Sequence, residues 1–120
     1  MKRTGIIIGA AIAVIAVACA RPANAADMAK AKKNYEMVCA SCHGIDGGGN
    51  GPAAATLSRK PRNFTDCAAM AKIPDSTLLG VIKNGGASYH LGATMQPWGS
   101  AFSKKQIGGL VAYVRHFCNK

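Results

Sequence analysis

The chain has 120 residues, with 15 Lys and Arg against 5 Asp and Glu and a formal charge of +10. This length points to one domain. The basic balance raises nucleic acid as a partner, but no base-stacking motif or basic reading helix accompanies the charge, so that class is set aside.

The first 25 residues differ from the rest. Lys2 and Arg3 open the chain, residues 6–20 are apolar and uncharged, and Arg21-Pro22 leads into Ala23-Asn24-Ala25. A basic start, an apolar run and an A-x-A site predict a secretory signal cut after Ala25. The run of 15 residues falls short of the ~20 a membrane-spanning helix needs, which disfavours a retained anchor. A lipidated Cys19 is disfavoured by the alanine three positions before it. The predicted mature domain, residues 26–120, has a charge of +7. A domain this small buries a modest core and gains from a cofactor, metal or disulfide. Its predicted location is the periplasm or an equivalent oxidising space, where a cationic surface steers it toward acidic-faced partners.

The predicted elements are helices. The first covers residues 27–38, with Asp27 as N-cap and Ala31, Tyr35 and Val38 on one face. A glycine-rich loop, residues 44–51, follows and closes at Pro52. It resembles a phosphate loop only in composition, since no strand precedes it and no Lys-Ser/Thr follows. A short helix is predicted near residues 66–71. Another spans residues 75–83 and stops at Asn84-Gly85-Gly86. The last opens on a capping box, Ser103 with Gln106, and carries Ile107, Leu110, Val111, Val114 and Phe117 at helical spacing. Gly108 and Gly109 weaken it by roughly 1 kcal/mol each relative to alanine. Either a backbone passes close to them or packing overrides the cost. No strand alternation is evident, so the fold class is all-α, about four helices with long loops.

Cys39-Ala40-Ser41-Cys42-His43 is C-x-x-C-H, the attachment signature of a c-type haem. Two thiols three positions apart can add to the two vinyl groups of one porphyrin, and the next residue, His43, then lies under the iron. A thioredoxin-like dithiol needs a βαβ context that is missing. A zinc site usually has a second close ligand pair, whereas Cys67 and Cys118 stand 51 positions apart.

Beyond that signature, the mature chain resembles the class I c-type cytochromes, especially the small bacterial monohaem type. The likeness runs from residues 35–44 through Thr94-Met95-Gln96-Pro97-Trp98-Gly99 to Leu110-Val111-Ala112-Tyr113-Val114-Arg115. It implies a cytochrome c fold wrapped around one haem, with Ala31, Tyr35, Leu110 and Tyr113 where the first and last helices cross. Ala31 stands where the family often has glycine, which implies a slightly wider crossing. The resemblance also implies one covalent haem c held by Cys39 and Cys42, with His43 and Met95 as iron ligands. Met/His ligation raises the potential of such a haem. The rivals for the sixth position are Met28, Met37, Met70 and His90. By the same likeness, the carbonyl of Pro52 accepts the hydrogen bond of the proximal imidazole. Trp98 is either packing at the haem edge or plain core.

Cys67 and Cys118 have no evident haem role. In an oxidising compartment they suggest a disulfide, the alternative being two separate buried thiols. The functional expectation is a monomeric, periplasmic single-electron carrier between acidic-faced redox donors and acceptors. It is not expected to be an enzyme, and it would meet the membrane only through partner complexes. Lys83, Lys104, Lys105 and Arg59 are candidates for guiding docking. The alternatives are a haem-bearing subunit of a larger oxidoreductase, a gas-binding haem protein and a dithiol redox protein.

Overall fold

The computed structural model describes residues 25–119. The expected leader therefore lies outside the described residues, except for its last position. Five α-helices follow in order: α1 (Ala25–Val38), α2 (Ala40–His43), α3 (Cys67–Met70), α4 (Asp75–Asn84) and α5 (Lys104–His116). Two 3₁₀ turns, Ala54–Thr56 and Ala87–Tyr89, interrupt the long loops, and the described residues contain no strand. None of the described helices is long and apolar enough to cross a membrane. The extra helix relative to the sequence expectation is α2, a four-residue turn that restarts immediately after α1.

The helix α1 is already running at Ala25, so Asp27 does not cap it. Asp27 sits inside the first turn, where a carboxylate is favoured by the exposed N–H groups, and it pairs with Lys105 of α5 at 3.9 Å. The helix α5 begins as its sequence indicates. Ser103 Oγ accepts from the Gln106 N–H, and Gln106 Oε1 accepts from the Ser103 N–H. At α3, Asp66 is the N-cap, its carboxylate accepting from the Ala69 N–H at 3.1 Å. At α4 the chain leaves the helix through Gly85 at φ +82°.

The core forms where α1 crosses α5. Ala31, Tyr35, Leu110 and Tyr113 are all buried, Tyr35 completely. The Tyr35 ring lies 5.2 Å from Tyr113 and 5.4 Å from Phe117, centroid to centroid, both tilted. Tilted aromatic pairs at this range stabilise by about 0.5–1.5 kcal/mol beyond the area they bury. A Cβ built on Gly109 would stand 3.6 Å from the Ala31 Cβ, ordinary contact, and one on Gly108 would meet nothing within 4 Å. Neither glycine is therefore required by a close backbone approach, and packing of α5 overrides their cost.

Arg115 closes the other side of the fold. Its guanidinium donates to the Met70 carbonyl at 2.6 Å, to the Ile73 carbonyl, and to the Asp75 carboxylate at 2.8 Å. One side chain of α5 thereby satisfies the loop between α3 and α4 and holds the start of α4.

Candidate functional site

Cys39 continues the helical path out of α1, its N–H donating to the Tyr35 carbonyl at 2.8 Å. One turn later, the His43 N–H donates to the Cys39 carbonyl at 2.9 Å. Cys39 and Cys42 therefore stand three apart on one helical turn, and residues three apart lie on the same face. Both are free thiols and both are half-buried.

A four-residue helix has carbonyls with no partner inside it. Here the following loop supplies all of them. The Ala40 carbonyl accepts from Gly44 N–H at 2.9 Å, Ser41 from Ala53 at 2.9 Å, Cys42 from Gly51 at 3.1 Å and His43 from Gly49 at 2.7 Å. The glycines follow from this wrapping. Gly44 turns the chain at φ +81°, a backbone region L side chains rarely adopt. A Cβ on Gly51 would come within 2.4 Å of the Ser41 carbonyl oxygen and 2.5 Å of that of Ala40. The loop is the C-terminal cap of the C-x-x-C-H turn. Tyr35 pins its start: the phenol donates to the Gly44 carbonyl at 2.7 Å, and burial holds that phenol well above its ordinary pKa.

His43 sits under the strap of chain ahead of α3. Its Nδ1 is 3.1 Å from the Arg62 carbonyl oxygen. A carbonyl only accepts, so Nδ1 carries the hydrogen and Nε2 keeps its lone pair. Burial lowers the pKa of this imidazole, with the bond to Arg62 opposing the shift, which favours the neutral form that binds metals. The expected acceptor was Pro52, and the structure corrects this. The N–H groups of Gly51 and Ala53, on either side of Pro52, are committed to the carbonyls of α2, and Pro52 is left exposed beside that turn. The acceptor instead comes from residue 62, brought in by the Phe64 N–H bond to the Gly47 carbonyl at 2.7 Å. The Phe64 ring stacks on the His43 ring, 4.5 Å between centroids and 15° between planes. Neither Arg62 nor Phe64 was singled out in the sequence, which carries no local signal for a contact spanning about twenty residues.

Burial, reinforced by the neighbouring Cys42, pushes the Cys39 thiol up to about 12. A reactive dithiol shows the opposite, a thiolate stabilised near neutral pH.

Met95 lies on the loop between α4 and α5. It is half-buried and packs against the same core cluster as Cys39. Its carbonyl accepts from Gly86 N–H at 2.9 Å, and Trp98 N–H donates to the Ile82 carbonyl at 2.9 Å, so the loop is stapled to the end of α4. A Cβ on Gly86 would stand 3.2 Å from the Met95 Cβ and 2.3 Å from the Gly92 carbonyl oxygen. Trp98 is half-buried and tilted against Phe102 at 6.1 Å. Of the rival ligands, Met70 is core, Met37 and His90 are exposed, and Met28 packs at the edge of the core. The Cys67 and Cys118 side chains lie close together with their Cα atoms 5.4 Å apart, a span within the range of a disulfide.

The donor set fits a c-type haem: two free thiols on one helical turn, an imidazole whose Nδ1 is engaged, and a half-buried thioether packed against the core that Cys39 also borders. Comparison with known proteins agrees. The model of the family described as cytochrome c oxidase, cbb3-type, subunit III matches residues 26–114. Among solved structures, the chain resembles the KustC0563 c-type cytochrome at 28% identity and a TM-score of 0.60, covering 72% of this chain and 95% of that one. It also resembles a chain of the Kuenenia stuttgartiensis reducing HAO-like protein complex Kustc0457/Kustc0458. There the identity is 27% and the TM-score 0.60, over 73% of this chain and 41% of that one. No curated protein matches it. The chain belongs to the cytochrome c oxidase, cbb3-type, subunit III family and is a class I c-type cytochrome, a haem electron-transfer protein with covalently bound haem c.

Proposed function

We propose that the protein is an exported single-electron carrier of the periplasm, working between redox proteins. Cys39 and Cys42 would hold the haem through two thioethers, and His43 Nε2 and the Met95 sulfur would ligate its iron. A haem held there would supply reversible one-electron transfer. The residues around it keep the coordination fixed. The capped α2 turn and the Arg62 carbonyl orient the imidazole, and the staple between α4 and the Met95 loop keeps the thioether in place. The observation that carries this reading is the α2 turn, where two free thiols stand beside an imidazole whose Nδ1 is already engaged.

In this reading the leader is cut after Ala25, the domain 26–120 is a monomer, and Cys67–Cys118 is a disulfide of the oxidised compartment. The charge of +7 on residues 26–120 favours donors and acceptors with acidic faces. Lys83, Lys104, Lys105 and Arg59, the candidates for guiding them, are all exposed, with Lys105 also paired to Asp27 and Arg59 donating to the His90 carbonyl. A second reading, a haem-bearing subunit of a larger oxidoreductase, is favoured by one comparison, the likeness to a chain of a multi-protein complex.

The test is an optical redox titration of the mature protein alongside Met95→Ala. The wild type should show one reversible one-electron wave, a weak far-red band in the ferric state, and no reaction with carbon monoxide when ferrous. Met95→Ala should lose the far-red band, lower the potential and bind carbon monoxide. A Met95→Ala protein with the wild-type band and potential would refute Met95 as ligand. A mature chain no heavier than its amino acids would refute the attachment at Cys39 and Cys42.

A further inference from the structure

Two groups of one short strap touch the His43 ring. The Arg62 carbonyl takes the Nδ1 hydrogen at 3.1 Å, and two residues later the Phe64 ring lies nearly parallel to the imidazole, 4.5 Å away. The two contacts do different things. A hydrogen bond made in the plane of the ring fixes the direction of Nδ1, but by itself tolerates tilting. A flat partner at 15° fixes the plane. Phe64 is in turn immobilised. It is buried, its N–H is bonded to the Gly47 carbonyl, and its ring runs parallel to Phe117 at 17° with 6.3 Å between centroids. Phe117 is also packed under the haem loop: a Cβ on Gly47 would fall 2.8 Å from its ring. Beyond Phe64, the strap ends at Cys67, whose sulfur meets that of Cys118, the neighbour of Phe117. A stack from α5 through Phe64 to the imidazole is thus held at both ends.

From this we infer that Phe64 is a positioning residue for the proximal ligand, setting the rotation of the His43 ring about the bond it makes to iron. The inference rests on His43 being that ligand, as proposed above. Rotation of the imidazole plane determines how unpaired spin is distributed over the four pyrroles of a ferric low-spin haem. It also governs how well Nδ1 keeps its bond to Arg62, which raises the basicity of the ligand and stabilises the ferric state.

The experiment compares the mature haem protein with Phe64→Leu, Phe64→Tyr and Val114→Ala. Leucine fills much of the volume but has no plane, tyrosine keeps the plane, and Val114→Ala removes buried volume near the end of α5 while leaving every ring of the stack in place. The readouts are the paramagnetically shifted haem-methyl resonances of the ferric protein and the reduction potential. Phe64→Leu should reorder or compress the methyl shifts and raise the potential. Phe64→Tyr and Val114→Ala should keep the wild-type pattern. A wild-type methyl pattern in Phe64→Leu overturns the inference, whatever happens to stability, and so does an equal change in Val114→Ala. Should Phe64→Leu fail to mature, Phe64→Met, which fills the space with a flexible chain, carries the same test. Failure of the haem reading itself would look different, with no Soret band in any of the proteins.

Discussion

Removing one oxygen atom tests how much of the C-x-x-C-H turn depends on α1. Tyr35→Phe deletes the buried hydroxyl that donates to the Gly44 carbonyl at 2.7 Å and leaves the aromatic contacts with Tyr113, Phe117 and Phe64 in place. A net hydrogen bond contributes about 0.5–1.5 kcal/mol, and a buried carbonyl left with no partner costs about 1–3 kcal/mol. The second, larger case does not apply, because the Gly44 carbonyl also accepts from the Gly47 N–H at 3.1 Å. The expected loss is therefore about 1 kcal/mol, which for a domain of this size lowers the melting temperature by roughly 4–8 °C. Tyr35→Ala, which also empties the ring's place at the α1–α5 crossing, should cost about 3–5 kcal/mol. Urea unfolding of the haem protein, followed in parallel by far-ultraviolet circular dichroism and by Soret absorbance, measures both. A Tyr35→Phe protein as unstable as Tyr35→Ala would show that the hydroxyl, not the ring, holds the crossing. One indistinguishable from wild type would show that the bond to Gly44 contributes nothing.

Arg115→Ala should destabilise by about 2–3 kcal/mol, since it strips a charged donor from two loop carbonyls, while Asp75→Asn should cost under about 1 kcal/mol because that carboxylate is mostly exposed; equal losses in the same urea titration would contradict this division. Gly86→Ala and Gly108→Ala should act in opposite directions. The first drives a Cβ to 2.3 Å from the Gly92 carbonyl oxygen and should weaken both the fold and the far-red band, at about 1–3 kcal/mol. The second meets nothing within 4 Å and should stabilise α5 by up to about 1 kcal/mol. If Cys67 and Cys118 are bridged, the double Cys67→Ser, Cys118→Ser variant, which opens a loop with a sequence separation of 51, should lose about 4 kcal/mol. Thiol counting on the unfolded wild type should meanwhile find no free thiol from this pair.

What the sequence made legible was local. The capping box of α5 involves residues three apart, and the periodicity that follows lies within a few turns, so both could be read without knowing the fold. The C-x-x-C-H signature is five consecutive residues whose chemistry depends on their order. The start of α1 was misplaced because the signal there is degenerate. An aspartate serves equally as an N-cap or inside a first turn, and Ala25 and Ala26 extend a helix as readily as they precede one. The acceptor for His43 was misplaced for a different reason. The acceptor is set by contacts across the loop, the N–H groups of Gly51 and Ala53 bonding the α2 carbonyls and the Phe64 N–H bonding the Gly47 carbonyl, and none of these is local in sequence.

That bonding links the two levels. The signature supplies thiols and an imidazole, but four residues of helix cannot satisfy their own carbonyls or hold their own orientation. Gly44, Gly49, Gly51 and Ala53 take up those carbonyls, which fixes the loop against the turn and excludes Pro52 from the ring. The Gly47 carbonyl, in the same loop, accepts from the Phe64 N–H, and the strap so held carries the Arg62 carbonyl to the ring. A loop that resembles a phosphate loop in composition alone is therefore better explained as the cap of the C-x-x-C-H turn. Its backbone groups are directed at protein carbonyls and have no need of an anion, and a side chain at position 51 would displace the turn that presents Cys39 and Cys42.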